Sequence, residues 1–186
     1  MKDPASPIYG CDAFWNTFWN LNQLWALATP DIMNKWVESL LEYYRVGGWL
    51  PNGPPGVEYC DIMGAQHEIP LMVSAYQKGI RNYDVDKAYE AVKKTLTTQG
   101  TALSSGGIVG NRHLDVYLKY GFVPYGEKSH HNVFGTTYEG PTSNTLEYAF
   151  DDWNAAQFAK ALGYEEDYDY FTRRAYNYKN VFDSET

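Results

Sequence analysis

The chain has 186 residues, the length of one domain or of part of a larger one. Its 15 Lys and Arg against 23 Asp and Glu give a net charge of −8. This charge argues against nucleic acid or an anionic membrane surface as the main partner, because like charges repel. Apolar residues make up 44% of the chain, enough for a packed core, and no apolar run is long enough to predict a membrane span.

Two further features leave the compartment open. The first residues lack the apolar stretch of a secretory signal peptide. The two cysteines, Cys11 and Cys60, are too few for a disulfide scaffold and lack the spacing of a metal site.

Aromatic residues are unusually frequent. The 17 Tyr, 8 Phe and 6 Trp make up 17% of the chain. One interpretation is a bulky core, and the other is a carbohydrate site in which flat rings cover apolar sugar faces. Composition alone favours the core, because most aromatic side chains pack.

Helical periodicity dominates the first half of the chain. Stripes of apolar residues at helical spacing cover residues 14–25, 32–43, 69–80 and 85–96. Pro30 opens the second helix and Gly47-Gly48 ends it, while Pro70 is expected in the first turn of the third. Asp84 is expected to cap the fourth.

The second half continues in the same way. Residues 97–110 and 125–142 are predicted loops, separated by a short helix with Leu114 and Leu118. Ser143 or Thr145 is expected to cap the next helix, which Gly163 ends, and a last stripe covers residues 168–182. Helices joined in pairs predict an all-α fold of helical hairpins, as in an α/α toroid or a solenoid, although no fixed sequence repeat supports a solenoid.

Carboxylates on the penultimate helix could serve sugar hydrolysis, which commonly uses two of them. Glu147 and Asp151 are four residues apart and share a helix face, whereas Asp152 points elsewhere. The alternative is that these charges only favour the helix dipole. The pattern leaves both interpretations open.

A second polar group follows a loop rich in Pro and Gly: Glu58, Asp61, His67 and Glu68. A His beside carboxylates could bind a metal ion or a sugar, but a lone His is more often a satisfied helix residue. The adjacent His130-His131 pair is a poor chelator, and the chain has no HExxH, GxSxG or Gly-rich phosphate motif.

Five blocks of sequence resemble one known family in order. They are GCDAFWNTFWNLNQLW (residues 10–25), GWLP (48–51), SAYQKGI (74–80), TLEYAFDDW (145–153) and RAYNYKNVFD (174–183). Together they resemble glycoside hydrolase family 92, from about residue 9 to residue 186. Asn16 stands where the family usually has Asp, and Ser74 where many members have Asp.

The resemblance implies calcium-dependent, exo-acting α-mannosidases that invert the anomeric centre, often periplasmic or secreted. It implies an N-terminal β-sandwich followed by an (α/α)6 toroid, of which residues 1–186 would be the first part. The β-sandwich and the C-terminal half of the toroid are not represented in these residues. The catalytic acid and base and the calcium ligands are expected outside them.

The residues expected to face a sugar site are Trp15, Asn16, His67, Glu147, Asp151 and Asp152. Trp15 would cover an apolar sugar face, and Asn16 and His67 would bond hydroxyls. Glu147 and Asp151 would position the ligand or neighbouring loops. Trp153 is expected in the core.

The leading interpretation is therefore a fragment of an α-mannosidase-like enzyme that binds α-mannoside glycans and is inactive alone. The alternatives are a non-catalytic helical carbohydrate-binding or interaction module, and another α/α-toroid sugar enzyme. Exposed helix faces would favour self-association or docking of the missing half.

Overall fold

The computed structural model describes residues 8–11, 14–54, 59, 64–104, 108–125 and 140–185. Helices dominate these residues: α1 (Leu21–Ala28), α2 (Pro30–Gly47), α3 (Glu68–Gln77), α4 (Val85–Thr97), α5 (Leu114–Tyr120), α6 (Pro141–Leu162) and α7 (Glu165–Ala175). Short 3-10 helices span Thr17–Trp19 and Tyr176–Val181. The predicted helical fold is confirmed.

Two layers of helices run in opposite directions. In the inner layer, α3 and α6 are parallel, because His67 contacts Glu147 at their beginnings and Gln77 contacts Gln157 ten residues further along both. The third inner helix, α1, contacts α3. Each inner helix connects to an outer one, which gives the hairpins α1–α2, α3–α4 and α6–α7.

The outer helices α2, α4 and α7 are also parallel to one another. Tyr44 near the end of α2 donates a hydrogen bond to Glu90 in α4, and Tyr89 of α4 donates to Asp167 early in α7. Further along, Arg174 of α7 donates to the carbonyl of Leu96 in α4. Three hairpins with consistent directions form an arc, as part of an α/α toroid.

The main core lies between the two layers. Trp36 of α2 is its aromatic centre, with ring centroids 5.0 Å from Tyr9, 5.3 Å from Phe14 and 5.8 Å from Trp25. Burying rings of this size supplies much of the apolar free energy of folding. A smaller cluster packs α5 against α6 through Tyr117 and Tyr148.

The residues that were expected to start and end helices mostly do so. Pro30 begins α2, Pro70 lies in the first turn of α3, and Asp84 accepts a hydrogen bond from the Lys87 amide at 2.9 Å. Gly48 and Gly163 follow α2 and α6 with φ near +80°, a conformation that other residues adopt at a cost. None of the described helices is long and apolar enough to cross a membrane.

Other expectations are wrong. The first stripe forms a 3-10 turn and a short helix, and the predicted 97–110 loop contains two paired strands, Thr101–Ala102 and Ile108–Val109. Helix α6 begins at Pro141, because proline suits the first helical position, so Ser143 and Thr145 lie inside it and donate to backbone carbonyls. The expected inward positions Ile32, Leu118, Leu146, Trp153, Tyr178 and Phe182 are exposed.

Candidate functional site

The inner helices begin at one end of the molecule, and three ring side chains meet there. The centroid of Phe18, just before α1, lies 5.0 Å from that of His67 and 4.6 Å from that of Phe150. His67 precedes α3, and Phe150 lies in the first half of α6. The packing of three separate elements therefore brings residues 18, 67 and 150 together.

His67 holds Glu147 by a short hydrogen bond. The distance from His67 Nε2 to Glu147 Oε2 is 2.8 Å, with the histidine side chain 1% exposed and the glutamate 33% exposed. Burial lowers the pKa of His67, but the hydrogen bond to Glu147 and the charges of Asp151 and Glu147 outweigh it and raise the pKa overall. The Nε2–H of His67 donates to Glu147 Oε2, and this leaves the other oxygen of the partly exposed Glu147 carboxylate able to accept bonds.

Asp151 lies one turn further into α6 and is fully buried. The amide of Gln66 donates to its Oδ2 at 2.8 Å. Burial raises the pKa of Asp151 to about 8, although His67 and the Gln66 amide act in the opposite direction. The charges of the buried Glu68 and of Glu147 add to the rise. Asp151 supports the loop before α3 and does not reach solvent.

Trp15 and Asn16 lie in the turn before α1. Trp15 is 48% exposed, too exposed for a core residue. Asn16 has φ 65° and ψ 6°, a left-handed conformation that Asn tolerates better than most residues, and its carbonyl accepts from the Trp19 amide. Two residues later Phe18 contacts His67, so the turn borders the cluster.

Asp152 is not brought together with these residues. It is fully buried and forms a bidentate ion pair with Arg174, at 2.7 Å to Nη2 and 3.0 Å to Nε. Tyr117 also donates to it at 3.0 Å. Burial raises the pKa of Asp152, while Arg174 and Tyr117 favour its carboxylate. The expectation that Asp152 faces a ligand is wrong, because adjacent helical positions point about 100° apart.

Trp153 contradicts its expected role in the core, because it is 51% exposed. It lies on the inner side of α6, and its ring lines a groove. Three other candidates, Glu58, Asp61 and the His130-His131 pair, lie outside the described residues, as does Cys60.

Sequence reasoning missed the roles of Gln66, Phe18 and Phe150 in this cluster. The two Phe residues were visible only as apolar positions of helical stripes. Gln66 acts through its backbone amide, and a backbone contact leaves no signature in residue type. The pairing of α3 with α6 joins residues about 80 positions apart, and periodicity within a helix does not report such contacts.

The architecture of the chain and its similarity to known proteins indicate the same class of protein. An arc of helical hairpins is part of an α/α toroid, and a model of the glycosyl hydrolase family 92 catalytic domain matches residues 1–186. The chain therefore belongs to glycoside hydrolase family 92.

Solved structures of this family resemble the chain closely. A family 92 inverting mannosidase from Bacteroides thetaiotaomicron is 29% identical, with a TM-score of 0.80 over 96% of this chain and 22% of that one. A family 92 α-mannosidase from the same organism, in complex with mannoimidazole, is 29% identical with a TM-score of 0.78, over 96% of this chain and 21% of its own.

A curated relative is an uncharacterized secreted glycosidase from Arthroderma benhamiae, 27% identical over 92% of this chain and 23% of its own length. The chain thus spans less than a quarter of the proteins it resembles.

Family 92 enzymes depend on calcium in general. Calcium needs several oxygen ligands, commonly six to eight. In the part of the chain that the structure describes, no group of three or more His, Cys, Asp or Glu side chains could hold a metal ion. The described residues therefore do not fit a calcium site.

Proposed function

We propose that residues 1–186 form the first part of the toroid of an inverting, exo-acting α-mannosidase and contribute one wall of its mannose site. The catalytic acid, the base and any calcium ligands would come from outside this chain, as would the β-sandwich. The observation that carries the proposal is the anchored carboxylate: Glu147 reaches solvent while buried His67 fixes it in place.

The chemistry of this wall suits a neutral sugar. A fixed carboxylate accepts hydrogen bonds from two neighbouring hydroxyls, and charge-assisted bonds of this kind are about twice as strong as neutral ones. Trp15 offers an exposed ring for the apolar face of the sugar, and the Asn16 amide can both donate and accept. The similar solved structures are mannosidases, one of them with mannoimidazole bound, and this supports mannose as the sugar.

Calorimetric titration with methyl α-mannoside tests the proposal. We expect Trp15→Ala and Glu147→Gln to lower affinity at least tenfold, equivalent to about 1.4 kcal/mol, because they remove the stacking surface and the charged acceptor. Asn16→Ala should lower it less, since it removes a neutral hydrogen bond.

Phe182→Ala is the matched control. Phe182 is an exposed aromatic residue, 75% accessible, in the segment that follows α7 in the outer layer. Its loss should leave the affinity unchanged. Equal affinities for the wild type, Trp15→Ala and Asn16→Ala would remove both residues from the site, and no binding by the wild type would refute the proposal.

A further inference from the structure

The chain that follows α2 holds the segment that leads into the candidate site. The amide of Cys11 donates a hydrogen bond to the carbonyl of Pro54 at 3.0 Å. The amide of Phe14 donates to the carbonyl of Asn52 at 3.2 Å. Because Phe14 directly precedes Trp15, these two carbonyls set where the turn before α1 begins.

This chain starts with the GWLP block, residues 48–51, which Lys94 of α4 contacts from the outer layer. The Lys94 ammonium donates a hydrogen bond to the carbonyl of Gly48, the residue that follows α2. It also lies 4.8 Å from the centroid of the Trp49 ring. A cation is favoured both at the C-terminal end of a helix and over an indole ring. Lys94 therefore fixes the block through two specific contacts.

The Trp49 ring fits closely into its surroundings. It is 8% exposed, and it packs against Gly110, which has a φ of 69°. A Cβ atom at residue 110 would lie only 2.8 Å from a carbon of the indole ring. This close fit gives the GWLP block one defined position, which the contact with Lys94 stabilises.

Two residues separate Trp49 from Asn52, and both restrict the chain. Leu50 is fully buried, and the ring of Pro51 fixes its own φ angle. A residue before proline is also confined to extended conformations. A shift of Trp49 is therefore passed along the chain to the Asn52 carbonyl and is not absorbed between them.

We propose that Lys94 is a positioning residue for the candidate site. From the outer layer it fixes the GWLP block, and the carbonyls of Asn52 and Pro54 then fix the turn that carries Trp15 and Asn16. Lys94 acts through this turn and does not touch the ligand. The choice of an α-mannoside as the ligand that reports the position of the turn rests on the proposed function.

Calorimetric titration with methyl α-mannoside tests this role in a double-mutant cycle. Lys94→Met should lower affinity at least fivefold, because it removes both contacts to the block. In a Trp15→Ala background the same substitution should change affinity less than twofold, because the ring through which Lys94 acts is absent. Lys94→Arg should bind within twofold of the wild type, since a guanidinium group can also donate to a carbonyl and stack on an indole ring.

Lys93→Met is the matched control. Lys93 is the neighbouring residue of α4, and its ammonium pairs with Asp167 of α7 at 2.7 Å. This variant removes the same charge and an outer-layer contact, so its affinity should stay within twofold of the wild type. Circular dichroism checks that each variant folds. Lys94→Gln, a milder change that removes the charge, replaces Lys94→Met in both measurements if the latter does not fold.

Amide hydrogen exchange measured by NMR tests the position of the segment without any ligand. In Lys94→Met the Phe14 amide should exchange at least tenfold faster than in the wild type, relative to the amide of Leu40. Leu40 is fully buried in α2, so its exchange corrects for any change in global stability. Lys93→Met should leave this ratio unchanged.

The outcomes separate the role of Lys94 from the proposed function. If the wild type binds no mannoside, the proposed function fails, and exchange at Phe14 alone decides: faster exchange in Lys94→Met supports the positioning role. An unchanged exchange ratio overturns it in every case. If the wild type does bind, equal losses of affinity in the two backgrounds, or no loss in either, also overturn the role.

Discussion

His67 and Asp151 illustrate how burial makes polar residues depend on one another. His67 is 1% exposed and Asp151 is fully buried, so neither is well solvated, and each is stabilised by neighbours on a different element. Glu147 alone of this group reaches solvent. We infer that the two buried residues position the third, which is the one able to contact a ligand.

We therefore expect the stability of the protein to depend on pH through Asp151. The variant Asp151→Asn should abolish this part of the pH dependence. The pKa of Asp151 is raised from 3.8 to about 8, so the native state binds its proton more tightly than the unfolded chain. The stabilising contribution of Asp151 to the free energy of unfolding is fully present below about pH 4. It is lost as pH rises toward 8, at up to about 1.4 kcal/mol per pH unit. Urea unfolding should therefore show Asp151→Asn gaining stability over the wild type between pH 4 and pH 8.

Asp169→Asn is the control, because Asp169 is exposed on α7. The difference in free energy of unfolding between Asp169→Asn and the wild type should stay nearly constant over the same pH range. A constant difference for Asp151→Asn as well would show that Asp151 is ionised in the native protein.

At the scale of the element, one hydrogen bond fixes where α4 begins. Asp84 Oδ1 accepts from the Lys87 amide at 2.9 Å, while Asp86 lies in the first turn of the same helix without a cap bond. Asp84→Ala should lower the free energy of unfolding by about 1 kcal/mol, within a range of roughly 0.5–2. Urea unfolding in high salt measures this loss.

Asp86→Ala removes the same charge from the same helix end. High salt screens its interaction with the helix dipole, so its cost should stay below about 0.5 kcal/mol. Equal losses for Asp84→Ala and Asp86→Ala would attribute the effect to charge and not to the cap.

The helices also show which features of the fold could be predicted from the sequence. Helix ends marked by Pro30, Asp84, Gly48 and Gly163 were predictable, because each marks a local backbone requirement. The inward face of α6 was not predictable, because this helix packs against α3, α4 and α7. Its buried positions include Asp151 and small alanines as well as large apolar residues. A helix buried on several sides has no single apolar stripe.

The same distinction between local sequence signals and long-range packing applies to the candidate site. The TLEYAFDDW block pointed to Glu147, and the sequence cluster around His67 pointed to the histidine. Their contact depends on the parallel pairing of α3 with α6, which only the fold determines. The direction of Asp152 into the core depends on Arg174 in the following helix, a partner that no local pattern identifies.

At the scale of the whole molecule, three hairpins form an arc with the candidate site at one end. Large apolar side chains remain exposed along it, among them Trp19, Leu24, Leu27, Trp153 and Phe182. Exposed apolar groups in such numbers favour contact with further protein. The arc therefore fits a piece of a larger toroid, and we expect the catalytic groups that face this wall to come from the remainder.

We expect that these 186 residues alone do not hydrolyse mannosides. An inverting glycosidase needs an acid and a base about 6.5–9.5 Å apart on opposite sides of the scissile bond. In the described part of the site, Glu68 and Asp151 are fully buried, so Glu147 is the one carboxylate of this cluster that reaches solvent. Asp152 is buried elsewhere, against Arg174. One carboxylate cannot serve as both groups across a sugar ring. Incubation with an aryl α-mannoside and calcium should release no phenol above the rate of a Glu147→Gln control. Turnover that EDTA and Glu147→Gln both abolish would contradict this and direct attention to Glu58 and Asp61 as the missing partner.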